Sequence, residues 1–149
     1  RDNPGGNLDT VVEMLRQILP EGVIVTTKDR DGTAEEYTCD GAHEFTKPLA
    51  VLVNGSSASA SEVFAAAVKD YGIGTIVGET TFGKGVVQDV IGLRDGSSVK
   101  ITTAEYFPPS GESINKKGVK PDVEIEFEQD PNDPEADNQL EKALEIVRQ

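Results

Sequence analysis

Apolar and polar positions divide the chain into short periodic segments. Leu8, Val11, Val12, Leu15, Ile18 and Leu19 recur at helical spacing behind Asn7 and Asp9, either of which can cap the start. Pro20 and Gly22 end that helix. Val23–Thr27 and Glu36–Cys39 read as two strands, and Asp29-Arg30-Asp31-Gly32 between them carries the Asp-Gly hairpin signal. Val51-Leu52-Val53 is an apolar run too short for a helix and rich in β-branched residues, the pattern of a buried strand. The small-residue turn Asn54–Ser59 follows, then an Ala-rich helix from about Ser59 to Tyr71, then a second buried strand at Thr75-Ile76-Val77. Strand, helix, strand is a βαβ unit, which implies a parallel pair with a right-handed crossover.

Beyond it the chain is β-rich. Val86–Ile91 and Ser98–Phe107 read as strands around the turn Leu93–Ser97. Val123–Phe127 is a last strand. Glu128–Asn138, dense in Asp, Glu, Pro and Asn, reads as a flexible acidic linker, and residues 139–149 as a helix with Leu140, Ala143, Leu144 and Val147 on its apolar face. The expected organisation is a core over 1–127, a linker over 128–138 and a terminal helix over 139–149. A length of 149 residues suits one domain.

Charge and cysteine content narrow the function classes. A net charge of −13 argues against nucleic acid or an anionic membrane surface as partner, since both need clustered Lys or Arg. The single cysteine, Cys39, excludes an internal disulfide and any multi-cysteine metal site. His43, the only histidine, lies in the polar loop Asp40–Glu44 with no orienting carboxylate beside it, so a Ser-His-Asp site and a zinc site are both set aside. No cofactor and no metal is expected. No apolar run approaches the roughly 18 residues of a membrane span. The opening on Arg1, without an initiator Met, leads us to expect a fragment or a processed piece.

Three stretches carry candidate chemistry. The turn Asn54-Gly55-Ser56-Ser57-Ala58-Ser59-Ala60-Ser61-Glu62 presents side chains where a strand meets a helix start, beside N–H groups that the helix leaves unpaired. Those donors and the helix dipole favour negative charge, so the turn can hold an oxyanion and one serine can be a nucleophile. Read alone, it is more plainly a turn of small residues that let the helix pack closely, with a Ser N-cap. Gly78-Glu79-Thr80-Thr81-Phe82-Gly83-Lys84-Gly85 nearly matches the phosphate-binding loop G-x-x-x-x-G-K-[ST]. Gly85 stands where the metal-binding hydroxyl belongs, and a strand follows where a helix is needed, so nucleotide binding is rejected. Lys84 could still be a base: strand alternation puts Lys84, Val86 and Gln88 on one face, and burial there would favour the neutral amine. A surface Lys at the head of an exposed strand is the plainer alternative. Asn3-Pro4-Gly5-Gly6 is turn chemistry with bare N–H groups, a weak anion-site signal.

Taken in order, Arg1–Gly6, Asn54–Glu62, Gly78–Gly85 with Gln88, Tyr106 with Pro109-Ser110-Gly111, and Gly118-Val119-Lys120-Pro121-Asp122 resemble the protease core of the carboxyl-terminal processing peptidases, or tail-specific proteases. The resemblance implies a serine peptidase with Ser59 as nucleophile, Lys84 as general base and Gln88 orienting it. Gly5 and Ala60 would supply the oxyanion-hole N–H groups, leaving Ser57 and Ser61 to packing and capping. It implies a crotonase-like α/β fold, a core of ββα units with a largely parallel sheet flanked by helices, plus β-rich C-terminal strands. It also implies cleavage near protein C-terminal tails, an extracytoplasmic location and a substrate-capturing PDZ domain that this chain does not contain. A strand is expected to precede Arg1; without it a sheet edge lies unpaired, homodimerisation is one remedy, and activity of the isolated chain stays open. The alternative is a catalytically silent peptide-binding or scaffold domain of the same fold, against which Ser59, Lys84 and Gln88 together argue.

Overall fold

The structure is a computed structural model and describes residues 1–148. The elements in order are α1 (Leu8–Arg16), β1 (Gly22–Asp29), β2 (Ala34–Cys39), β3 (Ala50–Val53), α2 (Ala60–Asp70), β4 (Thr75–Gly78), β5 (Val86–Gly92), β6 (Ser98–Phe107), β7 (Val123–Glu124) and α3 (Asn138–Val147). Asn7 is the cap that α1 uses: its side chain accepts from Thr10 N–H at 3.1 Å. Residue 149, the expected end of the terminal helix, lies outside the described residues.

Two sheets share the work. β3, β4 and β7 form a parallel sheet in that order, with β3–α2–β4 as the expected crossover unit. The expectation of a largely parallel fold is corrected by the other sheet. It is the larger, ordered β2-β1-β6-β5, and every pairing in it is antiparallel. For β1–β2 and β5–β6 the reason is connection length. Short turns join β1 to β2 and β5 to β6, and a short turn can return the chain only antiparallel. The α/β class stands; parallel pairing is confined to three strands.

The last expected strand is also shorter than its sequence pattern. β7 covers only Val123-Glu124, pairing with Val77-Gly78. Ile125 N–H still reaches Gly78 O at 2.9 Å, but Phe127 N–H turns to the Glu79 side chain at 3.4 Å. The linker behind it carries an isolated bridge, Asp130 to Asp133, and turns of its own.

α1 and α2 pack together on one side of the sheets, burying Val11, Val12, Leu15, Val63, Ala67 and Val68 with Ile24, Val53 and Ile76. Val77, next to Ile76, must face the other way and is equally buried. There α3 packs across β3 and β4 and buries Ala143. The parallel sheet is thus covered on both faces, as parallel sheets require.

Candidate active site

The turn between β3 and α2 holds Ser59 in a backbone conformation that side-chain-bearing residues avoid, φ 57° and ψ −120°. Such a residue costs about 1–3 kcal/mol and persists only where its surroundings fix it. They do so from several sides. Ser57 N–H donates to Asn54 O at 2.9 Å, Ala58 N–H to Asn3 O at 3.0 Å, and Phe82 N–H to Ser57 O at 3.0 Å. The Ser57 hydroxyl, buried in the turn, accepts from Asn54 N–H at 3.1 Å. The packing role expected of Ser57 is therefore a hydrogen-bonded one, while the N-cap position belongs to Ser59 itself. Ser59 starts the helix that carries Ala60 N–H, a donor that makes no backbone hydrogen bond among the described residues.

Glu62 joins this turn to the lysine-bearing loop. Its side chain has no exposure to solvent. One oxygen, Oε2, accepts from the N–H of Ser59 at 2.9 Å and from the N–H of Lys84 at 2.8 Å. The other, Oε1, accepts from the Thr81 hydroxyl at 2.5 Å and Gly83 N–H at 2.7 Å. Thr81 Oγ1 in turn accepts from Val119 N–H at 2.7 Å, which brings in the Gly118–Asp122 segment. A buried carboxylate with every acceptor direction used is a rigid fixture, because each lost bond strands a donor in the interior. The backbones of Ser59 and Lys84 are thereby fixed to one oxygen atom.

The remaining segments close around the same loop. Lys116 N–H donates to Gly83 O at 2.8 Å, and Tyr106 N–H to Gly85 O at 2.8 Å. A Cβ at Gly85 would stand 2.5 Å from Asn115 N, so only glycine allows this approach. The Lys84 side chain is half-buried and forms no ion pair among the described residues. Lys84 lies ahead of β5, not within it. Gln88 is in the strand, where its Nε2 donates to Thr102 Oγ1 at 3.3 Å; its side chain makes no hydrogen bond to Lys84 among the described residues. The β5–β6 register shifts between Val87 and Gln88, because β6 carries one residue, Thr103, with no partner. Tyr106 is buried, and its phenol pKa is raised, chiefly by burial and opposed by a hydrogen bond with the Ser59 side chain.

Gly5 packs directly against the serine turn. Its φ is +93°, and a Cβ there would stand 2.4 Å from Ala58 O and 2.8 Å from Ala60 N. Gly5 and Ala60, the two expected oxyanion donors, are thus brought side by side. Gly5 N–H is engaged with Asn3 Oδ1 at 3.0 Å, so an oxyanion would have to displace that side-chain oxygen. Both residues border a groove of about 380 Å³ whose walls include Val11, Met14, Val51, Leu52 and Phe64. That lining suits an apolar side chain. His43 is elsewhere, in an open cleft with Arg16, Glu21, Thr38, Cys39 and Asp40. Cys39 is a buried free thiol directed at Leu19 O, 3.3 Å away. Among the described residues no three His, Cys, Asp or Glu side chains gather to hold a metal ion.

Sequence reasoning passed over Glu62 and Tyr106 as individuals. Glu62 had a readable signal. Ser59-Ala60-Ser61-Glu62 has the S-x-x-E spacing of a capping box, and its Glu does reach back to the first N–H. The bonds from Glu62 to the 81–84 loop had none.

The profile of one peptidase family, described as "Peptidase family S41", matches residues 1–125. The chain is 44% identical over 126 residues to the carboxyl-terminal-processing protease of Synechocystis sp., covering 85% of this chain and 30% of that protein. It is 46% identical over 136 residues to the chloroplastic C-terminal processing peptidase of Tetradesmus obliquus, covering 91% of this chain and 29% of that protein. Among solved structures, the photosystem II D1 C-terminal processing protease superposes with a TM-score of 0.79 at 42% identity, covering all of this chain and 37% of that one. The chain therefore spans about a third of the length of such relatives. A profile match over most of the chain, with relatives more than 40% identical, leads to one conclusion: the chain belongs to peptidase family S41.

Proposed function

We propose that this chain carries the catalytic half-sites of a serine endopeptidase of the C-terminal processing type. Ser59 is the nucleophile and Lys84 the general base. The observation that carries the reading is Glu62 Oε2, which accepts from the backbones of Ser59 and Lys84 and so fixes the two candidates against each other. In the reaction, Ser59 Oγ attacks the scissile carbonyl carbon and its proton passes to the Lys84 amine. The carbonyl oxygen, now an oxyanion, is met by the N–H groups of Ala60 and Gly5. Lys84 returns the proton to the leaving amine as the C–N bond breaks, and water then hydrolyses the acyl-serine by the same route. Gln88 orients Lys84 by exchanging its Thr102 partner for the amine, and adds no charge in doing so. The crotonase-like description of the core belongs to the same reading.

The groove beside Gly5 and Ala60 supports a reading of the substrate class. Its Val11, Met14, Val51 and Phe64 walls favour an apolar residue, consistent with a tail-cleaving enzyme. Protein C-terminal tails as partners, capture by a PDZ domain and an extracytoplasmic site of action complete the proposal. A serine-directed fluorophosphonate tests the nucleophile without a known substrate. It should label Ser59 in the whole protein, and Lys84→Ala should slow labelling by at least about 10²-fold. Labelling of another serine, or an unchanged rate, would refute the pairing.

A further inference from the structure

The serine turn and the lysine loop are fixed by Glu62, but the third component, the Asn3–Gly6 turn, is not bonded to that carboxylate. It joins Arg1 to α1, whose cap is Asn7, and meets the serine turn through Asn3 O, which accepts from Ala58 N–H at 3.0 Å. We propose that Asp137 and Gln139 of α3 are positioning residues for this oxyanion turn, acting through Arg1. The proposal rests on the peptidase reading above. α3 lies beyond residue 125, where the family match ends, so nothing in the match assigns it a part in the site.

The contacts are specific and largely enclosed. Arg1 Nη1 donates to Asp137 Oδ1 at 2.8 Å and to Gln139 Oε1 at 2.9 Å, and Nη2 pairs with Asp137 Oδ2. The guanidinium also lies over the Phe127 ring, 5.3 Å from its centroid. Side-chain exposure of Arg1 and Asp137 is 24% and 17%, which is low for an ion pair. Gln139 is fully buried, and its Nε2 is spent on Ile125 O at 2.8 Å and Glu79 Oε1 at 3.3 Å, so its oxygen has a fixed direction. Asp137 also caps α3, accepting from Leu140 N–H at 2.9 Å. An Arg fork held by two acceptors and a ring has one orientation, unlike a solvated surface pair.

From that anchor the chain runs directly into the oxyanion turn. Asp2 has φ 59°, a left-handed conformation that Asp tolerates better than most residues with a side chain, and it is held on both sides. On one side is the Arg1 clasp. On the other, Asn54 exchanges bonds with Asp2 at 3.0 and 2.8 Å, and Asn3 O accepts from Ala58 N–H. Gly5 then sits in a slot with no room for one extra carbon. A donor placed that tightly is sensitive to the chain leading into it, and a shift near 1 Å can cost about 10²-fold in rate.

The test uses the whole protein with Asp137→Ala and Gln139→Leu, separately and together. Amide exchange at Asn3, Gly5 and Gly6 should accelerate while exchange in β5 and β6 is unchanged. On a peptide substrate kcat should fall about tenfold to about a hundredfold with KM within about twofold. A folded variant with unchanged exchange and unchanged kcat would overturn the proposal, as would a kcat loss that only tracks the fraction unfolded in a thermal melt. If the unmodified protein cleaves no peptide, the peptidase reading fails on its own, and exchange at Asn3–Gly6 still decides the clasp.

Discussion

At Glu62 four donors from two segments converge on a side chain with no solvent contact, so truncating it leaves all four without an acceptor in the interior. Each stranded donor costs about 1–3 kcal/mol, and partial relaxation recovers some of that. Glu62→Ala should therefore destabilise by at least about 3 kcal/mol in urea unfolding and remove activity, because Ser59 and Lys84 lose their common anchor. An unchanged midpoint would disprove the staple. Glu62→Gln keeps one acceptor oxygen and should fall between the two. Gly5→Ala is a sharper steric probe: its Cβ would enter the space of Ala58 O at 2.4 Å, at a φ that alone costs about 1–3 kcal/mol. It should abolish turnover while leaving the far β5–β6 hairpin intact by amide exchange. The serine turn was legible from residue types because small residues and a helix start leave few alternatives. Choosing Ser59 among four serines required the resemblance. In the structure Ser59 is the serine of this turn held at positive φ, and the Ser57 hydroxyl accepts from Asn54 N–H.

At the scale of elements, hydrophobic pattern placed strands well and burial poorly. Ser98–Phe107 alternates as a strand and is one, yet Ser98–Thr102 are exposed along with Asp89–Gly92 of β5. The outer half of this hairpin projects from the body, so Val90, Ile91, Val99 and Ile101 remain 41–66% exposed. Ile91→Thr should change stability by less than about 0.5 kcal/mol, whereas Ile76→Ala, in the fully buried β4, should cost about 2–5 kcal/mol. Matched denaturant melts separate the two, and an equal loss would mean the hairpin folds back onto the core. The parallel-sheet expectation went too far because it extended one βαβ unit to strands that hairpin turns join. Alternation likewise grouped Lys84 with Gln88, but Lys84 precedes the strand and Gln88 bonds Thr102 beside the bulge.

Across the whole molecule, the first and last described segments meet, and pairings 136 and 138 residues apart leave no trace in local sequence pattern. Glu128–Asn138 reads as a flexible acidic linker, yet Asp137 within it is the partner of Arg1 and Asn138 already opens α3. That pairing has a pH signature. The hydrogen bond from Arg1 holds the Asp137 carboxyl down at about 2, with Leu140 N–H assisting, against 3.8 for the ordinary group. A lowered folded-state pKa means the unfolded chain binds the proton more readily. The contribution is thus complete above about pH 4 and lost as pH falls toward about 2. In Asp137→Asn the acid-unfolding profile should lose this component, seen as a smaller gap between stability at pH 5 and pH 2.5 by circular dichroism. An identical gap would show that the pair contributes nothing.

The central claim is that Ser59 and Lys84 act as one catalytic unit. Its most direct measurement is turnover of a protein with an unstructured, apolar C-terminal tail by the whole protein and its single variants. Ser59→Ala should abolish cleavage, and Lys84→Ala should lower kcat by at least about 10²-fold while the fold, read by circular dichroism, is retained. A Lys84→Ala protein that cleaves the tail within about twofold of the unmodified rate would contradict the account.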